Sequence, residues 1–71
     1  MNKPTMKREL AVSCSYPSTG TIHFSATNDA ASDVAQFGVL HSFGDGNYHL
    51  IVDPRYDFEE VEAWIRGYGE N

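Results

Sequence analysis

The residues with the widest chemical repertoire are Cys14 and three histidines, His23, His41 and His49. Thiolate and imidazole together build zinc sites or Cys–His nucleophiles, and both chemistries demand fixed geometry. The local spacings that supply it, C-x-x-C, H-x-x-x-H and H-E-x-x-H, do not occur. The histidines fall on three different predicted strands, so an antiparallel sheet can bring two of them within metal-binding range, with Cys14 as a further ligand. Cys14, however, alternates in phase with Leu10 and Val12, which directs it inward. It also has no evident basic neighbour to activate it, so its expected role is a small buried hydrophobe. No catalytic residue, metal ligand or cofactor is assigned, and the chain is not expected to be an enzyme; a domain this small offers little volume for a concave site.

The carboxylates form the second group. Nine of the ten follow Asn28 and face only Arg55 and Arg66, whereas Lys3, Lys7 and Arg8 crowd the first eight positions. A potential of that sign repels nucleic acid and membrane surfaces and attracts basic protein surfaces. Asp53, Asp57, Glu59, Glu60 and Glu62 are interleaved with Tyr56, Phe58 and Trp64, and Tyr68 follows. On a helix, Glu59, Glu60 and Glu62 are expected to project away from Phe58, Val61 and Ile65 and to share one surface. Exposed Tyr or Trp inside an acidic rim is the composition of a protein interface with anchor residues. Phe58 and Trp64 fit a core better than Tyr56 and Tyr68 do. The partner-binding residues expected on this basis are Asp53, Tyr56, Asp57, Glu59, Glu60, Glu62 and Tyr68. The competing explanation is that acids in a first turn complement the helix dipole and the rest confer solubility, since a net charge of −5 is ordinary for a small domain.

The elements that position these groups follow from periodicity. Residues Met1–Met6 are polar, contain Pro4 and read as a flexible arm before a single domain over residues 7–71. Alternation over Arg8–Tyr16 and Thr21–Ala26 predicts two strands joined by Pro17-Ser18-Thr19-Gly20. Thr27, Asn28 and Asp29 are competent N-caps for a short helix carrying Ala30, Ala31, Val34 and Phe37 and ending at Gly38. Val39–Phe43 and Tyr48–Asp53 form a second hairpin around Gly44-Asp45-Gly46-Asn47, a turn signal that lacks the ligand series of a calcium loop. Pro54 closes the last strand.

The final helix is encoded several times over, with Asp57 as N-cap, Glu60 at its third position, and Tyr56 and Val61 as a hydrophobic staple. Arg66 is placed in its last turn and Gly67 at its carboxyl end. The order ββαββα implies an α+β fold, a four-stranded antiparallel sheet with both helices on one face. The other face is expected to be small and polar, carrying Ser13, Ser15, Thr21, His23 and Ser25.

At 71 residues the chain is near the size at which a core outweighs chain entropy unaided, which favours a partner or a dimer mate to cover leftover apolar surface, and the chain itself is expected to be a monomer or a weak homodimer. One cysteine excludes an internal disulfide framework and fits a reducing cytoplasm. The amino terminus has no apolar run suited to a signal peptide, and no stretch is long enough to span a membrane.

A small, acidic, cysteine-poor α+β domain with aromatics set into the run Asp53-Pro54-Arg55-Tyr56-Asp57-Phe58-Glu59-Glu60 resembles the anti-CRISPR-type inhibitors that bacteriophages and other mobile elements direct against host nucleases. The resemblance is one of type, spans the whole chain and rests on no single motif. It implies a protein-binding inhibitor in the host cytoplasm whose carboxylates occupy Lys- and Arg-lined sites meant for nucleic-acid phosphates, its partner being the basic surface of a host complex such as a CRISPR effector subunit. The alternative is a non-catalytic cytoplasmic interaction or regulatory module, with dimerisation through an exposed sheet edge as one form of it; neither reading expects direct nucleic-acid or membrane contact.

Overall fold

The computed structural model describes residues 9–70. The Met1–Met6 arm and the start of the domain at Lys7 lie outside them. Alternating apolar residues produce four strands: β1 (Leu10–Tyr16), β2 (Thr21–Ala26), β3 (Gly38–Gly44) and β4 (Asn47–Val52). Between the hairpins lies helix α1 (Asn28–Val34), extended by a single 3-10 turn over Ala35–Phe37, and helix α2 (Phe58–Glu70) ends the described chain. All neighbouring strands are antiparallel in the order β1-β2-β4-β3, so the second strands of the two hairpins meet at the centre of the sheet. The ββαββα order and α+β class read from the sequence are those of the molecule.

Local chemistry accounts for the boundaries. Thr27 caps α1, its hydroxyl accepting the Ala30 N–H at 3.2 Å. Asp45 and Gly46 both have positive φ, 56° and 78°, the pair of left-handed residues that a two-residue hairpin of right-handed twist requires. Gly38 begins β3 instead of merely ending a helix, and it must be glycine: a Cβ there would lie 2.0 Å from the Ile51 carbonyl oxygen of β4. The Asp57 carbonyl accepts the Val61 N–H at 3.0 Å, which places Asp57 at the start of α2.

The core lies between the sheet and the two helices. Ile22 and Phe24 of β2 and Leu50 of β4 pack against Ala30, Ala31 and Val34 of α1 and Val61 and Ile65 of α2. No polar or charged side chain among the described residues is buried there.

Three expectations are corrected. The pairing of β1 with β2 slips between Val12 and Cys14, so Val12 opposes Phe24 on the core side while Cys14 opposes His23 on the other. This bulge at Ser13 reverses the alternation. Cys14 therefore leaves the core face and Ser15 joins it. Second, the uncovered face is not small and polar: Tyr16, Val39, Phe43 and Ile51 are exposed on it beside the histidines. Third, α2 does not stop at Gly67 but runs to Glu70. The added turn carries Tyr68 to Asp33 of α1, whose carboxylate accepts its hydroxyl at 2.9 Å.

Candidate protein-interaction surfaces

The helical side displays a continuous aromatic ridge. Phe37, at the end of the 3-10 turn, meets Tyr56 edge-on with ring centroids 5.4 Å apart and Trp64 at 4.9 Å, and Trp64 continues to Tyr68 at 5.5 Å. Three segments distant in sequence supply these rings. Tyr56 is 38% and Trp64 39% exposed, while Phe58 and Tyr68 are half-buried. The sequence favours Trp64 over Tyr68 for the core, whereas in the structure Trp64 is the more exposed of the two. Phe37 and Asp33 are members of the ridge that sequence reading missed, because only tertiary packing brings α1 against α2.

Carboxylates edge the ridge without forming one patch. Asp57 and Glu60 are exposed, and Glu60 stands one turn before Trp64 on α2. Asp53 is half-buried at the opposite end; it accepts the Arg55 backbone N–H at 3.0 Å and pairs with the Arg55 guanidinium at 3.6 Å. That guanidinium also lies 5.5 Å above the Tyr56 ring. Asp33 holds the Tyr68 phenol above its ordinary pKa, because a deprotonated oxygen would lose the hydrogen bond to the carboxylate.

Glu62 departs from the expected cluster. It accepts a 2.8 Å hydrogen bond from the Ser15 hydroxyl of β1 and pairs with Arg66 at 3.0 Å, so it ties α2 to the sheet instead of projecting away. Its carboxyl is held below the usual range, first by the Ser15 hydrogen bond and then by Arg66. Glu59 is exposed and sits about 100° around the helix from Glu60, on the flank that faces away from Trp64. Of the seven expected partner-binding residues, Asp53, Tyr56, Asp57, Glu60 and Tyr68 therefore cluster about the ridge, and Glu59 and Glu62 lie beyond it.

The uncovered face of the sheet brings together the residues that opened the sequence analysis. Cys14 pairs with His23, His23 with His49 and His49 with His41, one cross-strand row over all four strands. Rings from every strand touch in sequence: Tyr16 to His23 at 5.0 Å, His23 to His49 at 3.4 Å and His49 to Phe43 at 4.1 Å. A recess of about 290 Å³ opens beside His23, Phe43, Asn47 and His49. Burial lowers the His49 pKa, and the charges that His23 and His41 would carry lower it further. Cys14 Sγ lies 3.3 Å from the Tyr16 hydroxyl, and the tyrosine pKa is raised, first by that hydrogen bond and then by the negative charge a Cys14 thiolate would carry beside the phenolate.

The histidine row is not a formed metal centre. Among the described residues no three His, Cys, Asp or Glu side chains are placed to hold an ion. The His23 and His49 rings stack face to face, their planes 27° apart and their centroids 3.4 Å apart. No helix among the described residues is long and apolar enough to cross a membrane. No protein-family model, curated protein or solved structure gives a significant match to the chain.

Proposed function

We propose that the domain is a non-catalytic, protein-binding inhibitor that docks on a basic surface through the ridge Tyr56–Phe37–Trp64–Tyr68 and its flanking carboxylates Asp53, Asp57 and Glu60. The observation that carries this reading is the simultaneous exposure of Tyr56 and Trp64 on one edge-packed ridge. Large aromatic rings held by their neighbours lose little entropy on binding and serve as anchors. The carboxylates select a cationic partner and speed encounter with it.

In the anti-CRISPR-type form of the reading, the partner is a nucleic-acid-binding complex of host defence. Its Lys- and Arg-lined groove accepts the domain's carboxylates where phosphates would sit, and the aromatic anchors confer the specificity that charge alone lacks. Binding of that kind weakens steeply as salt rises.

The test is retention of a nucleic-acid-binding complex by a tagged copy in bacterial lysate, read at low and high salt beside the Asp57→Lys, Glu60→Lys double variant and Trp64→Ala. The reading predicts loss of the complex with salt, with either variant, and on addition of competing single-stranded DNA. A retained complex indifferent to charge reversal and to DNA refutes the acidic decoy.

A further inference from the structure

Four of the six large apolar side chains left exposed among the described residues, Tyr16, Val39, Phe43 and Ile51, lie on the face of the sheet that neither helix covers. A contiguous patch of this kind marks an interface, and its chemistry restricts what covers it. None of the residues that the pairing places there, from Ala11, Cys14 and Tyr16 on β1 to Asn47, His49 and Ile51 on β4, is Asp, Glu, Lys or Arg, and Phe43, unpaired in the ladder, joins them through its ring contact with His49. Among the described residues no charged side chain lies within a strand, in a chain whose net charge is −5.

A two-fold contact sets the same patch against itself, so the patch must be self-complementary. The acidic ridge fails that condition, since carboxylate would meet carboxylate. The uncovered face meets it: apolar groups match apolar groups, and neutral imidazoles, hydroxyls and the Asn47 amide each both donate and accept. A nucleobase is poorly served there, because His23 and His49 already spend one face each on stacking against the other, and the chain's net charge opposes a phosphate backbone.

We infer that a second copy of this chain covers the face, sheet against sheet, with the His23 and His49 pairs of both copies at the centre. Four strands at ~4.8 Å spacing and six residues at ~3.3 Å rise give roughly 400 Å² per copy. The total of roughly 800 Å² is below the ~1,200 Å² of stable complexes, so the dimer is reversible and concentration-dependent.

The dimer is also acid-sensitive. Around His49 the titratable groups are His23 on β2, His41 on β3, and Cys14 and Tyr16 on β1, with no carboxylate on the face to balance a proton. Dimerisation deepens the burial that already disfavours the imidazolium. The free chain therefore takes up protons more readily than the dimer, so association is strongest above the already lowered His49 pKa of the free chain and weakens as pH falls through it.

Sedimentation velocity on the full chain tests this, from about 10 to about 500 µM, the span in which so small an interface associates. The expected result at about pH 7.5 is a rise in sedimentation coefficient toward the dimer, with association that weakens progressively as pH is lowered from about 6.5 to about 5. Phe43→Glu should stay monomeric with an unchanged circular dichroism spectrum; Val39→Glu, at the other end of β3, serves if Phe43→Glu perturbs the fold. Trp64→Ala should dimerise normally, which separates this surface from the acidic ridge whatever the outcome of partner retention. A monomer throughout the range at neutral pH, a dimer that both glutamate variants leave intact, or a dimer insensitive to acid each overturns the inference.

Discussion

Phe24 and Phe43 belong to the same sheet and differ by its two sides: Phe24 is 1% exposed beneath the helices and Phe43 is 61% exposed on the uncovered face. The sides differ in charge as well as in cover. The helical side carries acids in both helices and in the segment before α2; the other carries three histidines and, among the described residues that the pairing places there, no Asp, Glu, Lys or Arg. Under the two proposals above, the helical side would take a basic partner surface and the uncovered side a second copy of the chain.

The contrast is broken or kept most directly by cutting the same side chain on each side. Phe24→Ala should cost about 3–5 kcal/mol, because it removes a fully packed ring from the core. Phe43→Ala should cost less than about 1 kcal/mol when unfolding is followed by urea at a concentration low enough to exclude association. Equal losses would mean that the outer face is structural packing and not a spare surface.

Trp64 is the intermediate case, on the helical side yet 39% exposed. Its ring leans on Phe37 and Tyr68 without entering the core, so Trp64→Ala should cost about 1–2 kcal/mol, well short of a buried tryptophan. Partner retention should fall far more than stability does. A stability loss matching that of Phe24→Ala would return Trp64 to the core and remove the anchor from the ridge.

How much of this was legible depends on sequence separation. The strands, the helix starts at Thr27 and Asp57, and the hairpin at Asp45-Gly46 are written in residues close together, and each was readable. His41 opposite His49 nearly was, because the hairpin turn fixes that pairing to within the one-residue slip between Ser42 and Gly44. The pairing of His23 with His49 joins two hairpins and has no local signal. Cys14 was misplaced for a different reason: the bulge at Ser13 is one extra residue in an alternation that otherwise continues unbroken, and a single inserted residue inverts everything after it. The aromatic ridge was half legible, its members on α2 named and Phe37 absent, because the packing of α1 against α2 is set by the whole core.

That same bulge joins the two sides, since it turns Ser15 inward to Glu62. Ser15→Ala should destabilise the domain by about 1 kcal/mol at neutral pH, the worth of one hydrogen bond to a charged acceptor in a half-exposed setting. The folded Glu62 carboxyl is held below its ordinary value of 4.5, so its contribution is complete above that value and lost as pH falls through the lowered one. Stability curves of the two proteins should therefore converge in acid. Parallel curves would show that Ser15 stabilises by packing, with Glu62 free to join the acidic surface after all.

The smallest expected effect has the opposite sign. Gly67 lies inside α2, where glycine costs about 0.5–1 kcal/mol relative to alanine, and a Cβ added there meets no atom within 4 Å. Gly67→Ala should therefore raise stability by about that amount, through the reduced freedom of the unfolded chain, and leave the Tyr68 hydroxyl on Asp33. If Gly67 instead adopts the left-handed conformation of a helix cap, alanine would strain it and stability would fall. Tyr68 would then lose its place at the end of the ridge, and the helical side would keep Tyr56 and Trp64 as its anchors without the phenol that ties α2 to α1.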